Sequence, residues 1–266
     1  CLGRFVAGLR QSVVALKTTN PIVRPGAKGL GESVRRFTYV RAFDAADAIW
    51  PLCNAEQALL VREFPHAADK IAAVQNPYVT QAMFAPFRRA AREGPPLVLA
   101  AGRLAPQKRL DLLVEAFAHI SPDAARLVIA GEGTERAKLE AIVKAHGLED
   151  RVTLLGYVAD VTALLRCADL MVLTSVFEGL PAVVLEAMAA NCPVVSTNCF
   201  LSARSLLETS PGCGIIEEEA PAAVASLILS RLAEPRPNIL HETAQRWSID
   251  KGIDSHVAAL ERAFLR

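Results

Sequence analysis

The chain has 266 residues, 52% of them hydrophobic and 21% charged, with 15 Gly and 16 Pro. Its 29 Lys and Arg against 28 Asp and Glu leave a formal charge of +1, which excludes a nucleic-acid binder by composition. Mean hydropathy is +0.27, yet charge or Pro/Gly breaks every apolar run before about 18 residues, so no membrane span is predicted; collagenous, disordered and disulfide-scaffold classes are excluded too.

In chain order, Val13–Leu16 (VVAL) reads as a strand, followed by a helix over Val34–Ala46, a strand at Ala48–Leu52, a helix over Glu56–Phe64 and a third strand at Ile71–Val74. A Pro-containing stretch over 77–95 reads as a linker. Beyond it, short continuous apolar runs alternate with amphipathic segments. Strands are predicted at Pro96–Gly102, Leu127–Ala130, Val152–Leu155, Leu170–Thr174, Pro193–Thr197 and Cys213–Ile216. The helices between them are Arg109–Ile120, Glu135–His146 (closed by Gly147), Val161–Cys167 and Pro181–Ala190, and Ala220–Leu232 follows the last strand. After the Pro-rich break at Glu234–Pro237 come terminal helices over Ile239–Trp247 and Lys251–Leu265. This alternation predicts an α/β fold whose parallel sheets are buried on both faces. Residues 96–233 make one complete Rossmann-like domain, residues 1–76 the back half of a second, and residues 234–266 a helical tail.

Charge is unevenly placed. Residues 1–95 hold 13 Lys and Arg against 7 acids, and residues 96–266 hold 16 against 21. Near the start, Arg4, Arg10, Lys17, Arg24, Lys28, Arg35, Arg36 and Arg41 face only Glu32. The asymmetry points to an anionic partner, a membrane surface or a phosphorylated substrate, beside the plainer reading of a solvated basic face. The six cysteines contain no C-x-x-C pair and read as reduced thiols of a cytosolic protein.

The most informative stretch is Phe177–Thr197, FEGLPAVVLEAMAANCPVVST. Glu178 stands just past the fourth strand of the complete domain and Glu186 about two turns into the next helix, on the side where open α/β sheets bind ligands. A carboxylate accepts two hydrogen bonds side by side, which suits a pair of neighbouring sugar hydroxyls. Pro181 suits the first helical turn, where free N–H groups face an anion or hydroxyl. A second signal is Gly102, Arg103 and Lys108: a Gly ends a strand, and two cations follow across the turn into a helix, as a diphosphate site requires. A third is Gly131-Glu132-Gly133, which fails as a dinucleotide fingerprint because Arg136 occupies the third Gly position, yet permits close backbone approach. No P-loop, no G-x-S-x-G elbow and no D-x-D occurs.

Together, GRLAPQKRLDLLVEAFA, VIAGEGTERAKLEAI, VTLLGYV and EGLPAVVLEAMA followed by PVVST resemble the family 4 retaining glycosyltransferases of the GT-B fold, with their E-x7-E pair as Glu178 and Glu186. The resemblance covers roughly residues 70–232. It implies a transferase that takes a nucleotide-sugar donor and needs no metal and no cofactor. Arg103 and Lys108 would hold the diphosphate and stabilise its departure. Glu186 would bind the ribose hydroxyls and Glu178 the transferred sugar. Backbone over Gly179, Leu180, Pro181, Ala182 and Val183 would meet sugar and phosphate, with Gly102, Gly131 and Gly133 in the same site. Gly156, Tyr157 and Val158 would lie beside the nucleobase.

The sequence also departs from the family pattern. Asn191 replaces the Gly usual after EAMA-x, though Asn tolerates the same left-handed backbone. Cys199-Phe200-Leu201-Ser202 replaces the usual Gly-Gly. The Gly-rich acceptor loop and the His of many relatives do not appear, so the chain reads as N-terminally truncated, a donor domain with part of an acceptor domain. The expected acceptor is a glycan or a lipid-linked sugar in envelope polysaccharide synthesis. The expected location is cytoplasmic, with peripheral contact at the inner face of the membrane through the basic part. The competing readings are a non-catalytic nucleotide-sugar-binding protein and a nucleotide-sugar epimerase on the same fold.

Overall fold

The structure, a computed structural model, describes residues 13–19, 22, 29–85, 87, 94–238 and 240–265. They fall into two compact units, one drawn from Cys1–Pro77 with Ile249–Arg266, the other Tyr78–Ser248. Arg4, Arg10, Arg24 and Lys28 of the basic stretch lie outside the described residues.

In the first unit β1 (Ala15–Lys17) pairs in parallel with β2 (Ala48–Trp50), joined through α1 (Leu30–Ala45) and followed by α2 (Asn54–Glu63). Phe43, Ile49, Leu60 and Phe64 form its buried centre. The strand expected at Ile71–Val74 does not form. The Ala72 N–H donates to the Ile49 carbonyl (3.0 Å) and the Val74 N–H to the Pro51 carbonyl (2.8 Å), so the segment runs beside β2. Pro51 has no N–H to return, and only the single bridge Ile49–Ile71 remains. Glu56, expected only as part of a helix, is buried, accepting the Leu52 N–H (2.8 Å) and the Thr18 hydroxyl (3.0 Å).

The second unit runs β3 (Leu97–Ala101), α3 (Leu110–Phe117), β4 (Arg126–Ala130), α4 (Arg136–Ala145), β5 (Val152–Gly156), α5 (Thr162–Cys167), β6 (Leu170–Leu173), α6 (Ala182–Ala189), β7 (Val194–Thr197), α7 (Ala203–Leu207), β8 (Gly214–Ile216), α8 (Pro221–Ala233) and α9 (Leu240–Gln245). All six strands are parallel, in the order β5-β4-β3-β6-β7-β8. That is the doubly wound order, and its direction reverses between β3 and β6. The strands are apolar because both faces are covered: Val98, Leu127, Leu170, Val172 and Val195 are buried against Leu113, Phe117 and Ile228 of the helices. In α3, Leu110, Leu113, Val114 and Phe117 recur at helical spacing and turn one face inward. The short helix α7 has no counterpart among the predicted elements, because five residues are too few to show a period.

The expected linker and tail are divided differently. From Tyr78 the chain belongs to the second unit: the Tyr78 and Val79 N–H groups both donate to the Trp247 carbonyl (3.3 and 3.2 Å), and a 3-10 turn covers Gln81–Phe84. The tail splits after Ser248. Its first helix, α9, packs on α6, whereas α10 (Ile249–Phe264) returns to the first unit. There Ala259 and Ala263 pack with Trp50 and Val74.

Candidate functional site

A cleft of about 530 Å³ opens at the carboxyl ends of the strands of the second unit. Its floor is backbone. Gly102 and Gly131 adopt φ values of 149° and 148°, which side chains rarely take. They follow β3 and β4, and their turns are bonded to one another: the Gly102 N–H donates to the Ala130 carbonyl (2.9 Å) and the Gly131 N–H to the Gly156 carbonyl (2.7 Å). A Cβ on Gly131 would stand 1.9 Å from the Gly102 carbonyl oxygen. One on Gly133 would stand 2.2 Å from the Leu104 oxygen.

Over this floor lie the charged groups. Lys108 Nζ stands 2.7 Å from Glu178 Oε1, with both side chains mostly buried (16% and 12% exposed). A polar lock holds the two loops at that distance. Gln107 donates its amide to the Phe177 carbonyl (2.6 Å) and accepts the Val176 N–H (2.8 Å) on its own carbonyl. The Thr174 hydroxyl donates to the Lys108 carbonyl (2.9 Å), and the Ser175 hydroxyl to Glu178 Oε1 (2.7 Å). Behind them the Thr197 hydroxyl donates to the Ser175 carbonyl (2.6 Å), and the Glu178 N–H to the Cys199 carbonyl (2.7 Å). The Cys199 loop that replaces the family's Gly-Gly is thus the backbone support of Glu178. Cys199 itself is buried, and that burial pushes its thiol pKa up.

Arg103 also lines the cleft; it is exposed and has no ion-pair partner among the described residues. Glu186 lies on the inward side of α6, likewise unpaired among them. Burial, and after it the nearby Asp160 carboxylate, raises its pKa above the ordinary carboxylate range. Asp160 itself is held low by the Thr162 hydroxyl and N–H. The arrangement offers two cations to an anion and one half-buried carboxylate with spare acceptor capacity.

Of the residues expected in a site, Gly102, Arg103, Lys108, Gly131, Tyr157, Val158, Glu178, Leu180, Pro181, Ala182, Val183 and Glu186 line the cleft. Gly133, Gly156 and Gly179 do not; the first two shape it from behind through the close packing of their turns. Tyr78, Glu132 and Val161 line it without having been expected there. Gln107, Ser175 and Thr197 also went unread, since single polar residues in a turn, a loop and at a strand end give no periodic signal. Among the described residues no group of three or more His, Cys, Asp or Glu could hold a metal ion.

The profile of the family described as "Glycosyl transferases group 1" matches residues 84–249, and the chain belongs to that family. It is 28% identical over 199 residues to an N-acetylgalactosamine-N,N'-diacetylbacillosaminyl-diphospho-undecaprenol 4-alpha-N-acetylgalactosaminyltransferase of Campylobacter jejuni, covering 75% of this chain and 54% of that protein. It is also 36% identical over 105 residues to an alpha-D-kanosaminyltransferase of Streptomyces kanamyceticus, across 38% of this chain and 27% of the relative. The chain thus spans about half or less of the length of these curated relatives. Among solved structures, HepE of Anabaena in complex with UDP and glucose superposes with a TM-score of 0.78 at 19% identity, over 94% of this chain and 71% of that one. The fold is that of the GT-B glycosyltransferases.

Proposed function

We propose that the cleft binds a nucleoside-diphosphate sugar, and that the chain acts in a retaining glycosyltransferase of the family 4 type that passes the sugar to a lipid-linked or polysaccharide acceptor of the cell envelope. The observation that carries this reading is the row of charges along one cleft at the reversal point of the sheet: the Lys108–Glu178 pair, with Arg103 and Glu186 unpaired among the described residues. Family membership and the undecaprenol-linked substrate in the name of the Campylobacter relative support it.

In this reading Arg103 and Lys108 meet the diphosphate. When the bond from the anomeric carbon to the diphosphate oxygen breaks, negative charge grows on that oxygen, and the two cations beside it stabilise it most where it develops. Glu178, already held by Ser175 and its backbone support, accepts hydroxyls of the transferred sugar. Glu186 accepts the paired ribose hydroxyls, which supply the partners it lacks in the free chain. The free N–H groups at the start of α6 face the donor. Contact with the cytoplasmic face of a membrane through the basic first part belongs to the same proposal, on the strength of its 13 Lys and Arg against 7 acids. Among the described residues no helix is long and apolar enough to cross a membrane.

Titration of the chain with UDP, GDP and ADP, beside Glu186→Ala and Arg103→Ala, tests the donor site. One nucleotide should bind saturably and bind weakly or not at all to either variant. A folded chain that binds none of the three, or variants that bind as the parent does, would overturn the assignment. Binding to vesicles with and without anionic lipid tests the membrane contact, and equal binding to both rejects it.

A further inference from the structure

Arg236 sits in the Pro-rich break between α8 and α9, remote in sequence from the cleft, and its guanidinium meets three backbone carbonyls. Nε donates to the Asn191 carbonyl (2.8 Å), Nη2 to the Ala190 carbonyl (2.9 Å) and Nη1 to the Ala168 carbonyl. Ala190 and Asn191 follow the last residue of α6, and Ala168 follows the last residue of α5. One planar cation therefore closes the carboxyl ends of two neighbouring helices, where carbonyls lack helical partners and the helix dipoles are negative. The opposite ends of the same helices line the cleft: Val161 immediately precedes α5, and Pro181, Ala182 and Val183 open α6.

The connection to Glu186 is short. The Ala190 N–H donates to the Glu186 carbonyl (3.1 Å), so the residue whose carbonyl Arg236 grips also closes, through its N–H, the helical turn beginning at Glu186. Asn191, in the left-handed region at φ 52°, completes the junction. Its Oδ1 accepts the His241 N–H (3.2 Å), which ties α9 to the same point.

We infer that Arg236 is a positioning residue for the donor: it fixes the spacing of α5 and α6 and thereby the place of Glu186 in the cleft. The inference rests on the proposed nucleotide site. A lysine cannot reproduce the role, because a single ammonium does not present a planar fork to three carbonyls at once.

The test compares the parent chain with Arg236→Ala, Arg236→Lys and Ile228→Ala, the last a buried α8 residue away from the cleft that sets the effect of instability alone. Affinities for UDP, GDP and ADP are measured by calorimetry well below every unfolding midpoint. Arg236→Ala should weaken the preferred nucleotide about tenfold, the scale on which partners that orient a binding side chain act. Arg236→Lys should recover only part of that loss, and Ile228→Ala should bind as the parent does despite a lower midpoint. If Arg236→Ala is unfolded, Arg236→Lys alone carries the comparison. Parent-like affinity in the folded Arg236 variants, or an equal loss in Ile228→Ala, overturns the positioning role. A parent chain that binds none of the three nucleotides overturns the donor reading instead.

Discussion

Replacing Gly131 by Ala tests whether the cleft floor depends on backbone contact. The added Cβ would lie 1.9 Å from the Gly102 oxygen, where ordinary contact begins at 3.4 Å, so one turn must retreat by about 1.5 Å. Retreat of that size breaks the bonds from Gly102 to Ala130 and from Gly131 to Gly156, each leaving buried backbone groups unsatisfied at ~1–3 kcal/mol. Holding Ala at φ 148° adds about 1–3 kcal/mol of strain. The sum is about 3–9 kcal/mol, a large share of the ~5–15 kcal/mol that typical domains possess. Gly147→Ala is the reference. Its φ is also positive, 61°, but nothing lies within 4 Å of its Cβ, so only the left-handed cost of ~1–2 kcal/mol applies. Urea denaturation at 25 °C, read by circular dichroism, should place the Gly131→Ala midpoint well below that of Gly147→Ala, with equal slopes. If the two variants lose the same stability, the floor is not held by this packing and the account of the glycine turns is wrong.

Glu186→Gln should weaken nucleotide binding by an order of magnitude or more. It should also raise the melting temperature of the free chain by about 2–4 °C, the effect of ~1 kcal/mol in a chain of this size. A raised pKa means that the ionised carboxylate opposes folding at neutral pH; a lower melting temperature in scanning calorimetry would contradict this. Nucleotide affinity of the parent should fall with decreasing pH from a point above the ordinary carboxylate range, as Glu186 takes up a proton. Calorimetric titrations across pH should show that fall abolished in Glu186→Gln. Arg103→Ala should leave stability within about 0.5 kcal/mol, because the side chain is exposed and has no ion-pair partner among the described residues, while Lys108→Ala should lower it by isolating the mostly buried Glu178. Paired denaturation curves decide between them. Lys17 in the first unit is lowered to about 8, by burial against the weaker pull of Glu56. The unfolded chain then holds the extra proton between about pH 8 and 10.5, so stability should rise through that window and flatten in Lys17→Met.

The second unit was legible because parallel strands covered on both faces must be continuous apolar runs, as LVLAA and LMVL are. The expected left-handed turn at Asn191 is present at φ 52°. The first unit was less legible. IAAV has a strand's composition, yet whether it builds a ladder depends on Pro51, twenty residues earlier, having no N–H to return. The positions of Glu178, Glu186, Arg103 and Lys108 along one cleft could be placed from motif spacing, whereas the groups that hold them could not. Ser175, Gln107 and Thr197 act through isolated hydrogen bonds around the strand ends, and Arg236 through carbonyls that carry no residue identity. Such contacts leave no pattern in the side-chain alphabet, only a coincidence of backbone positions that folding creates.

The second unit begins and ends at one hydrogen-bonded point, where Tyr78 and Val79 meet Trp247 and Val79 bridges Ser248. Topologically it is an insertion: a closed excursion whose two ends are already fastened together, while the first unit is interrupted and resumes at Ile249. For protein recombination this defines a cassette. Exchanging residues 78–248 with the matching stretch of another family member requires two crossovers placed side by side in space, and carries across all the cleft-lining residues, the polar lock and the Arg236 grip together. A crossover placed instead in the Pro-rich break after α8 would part Arg236 or His241 from the helix ends they hold, so chimeras cut there should be handicapped although the seam lies on the surface.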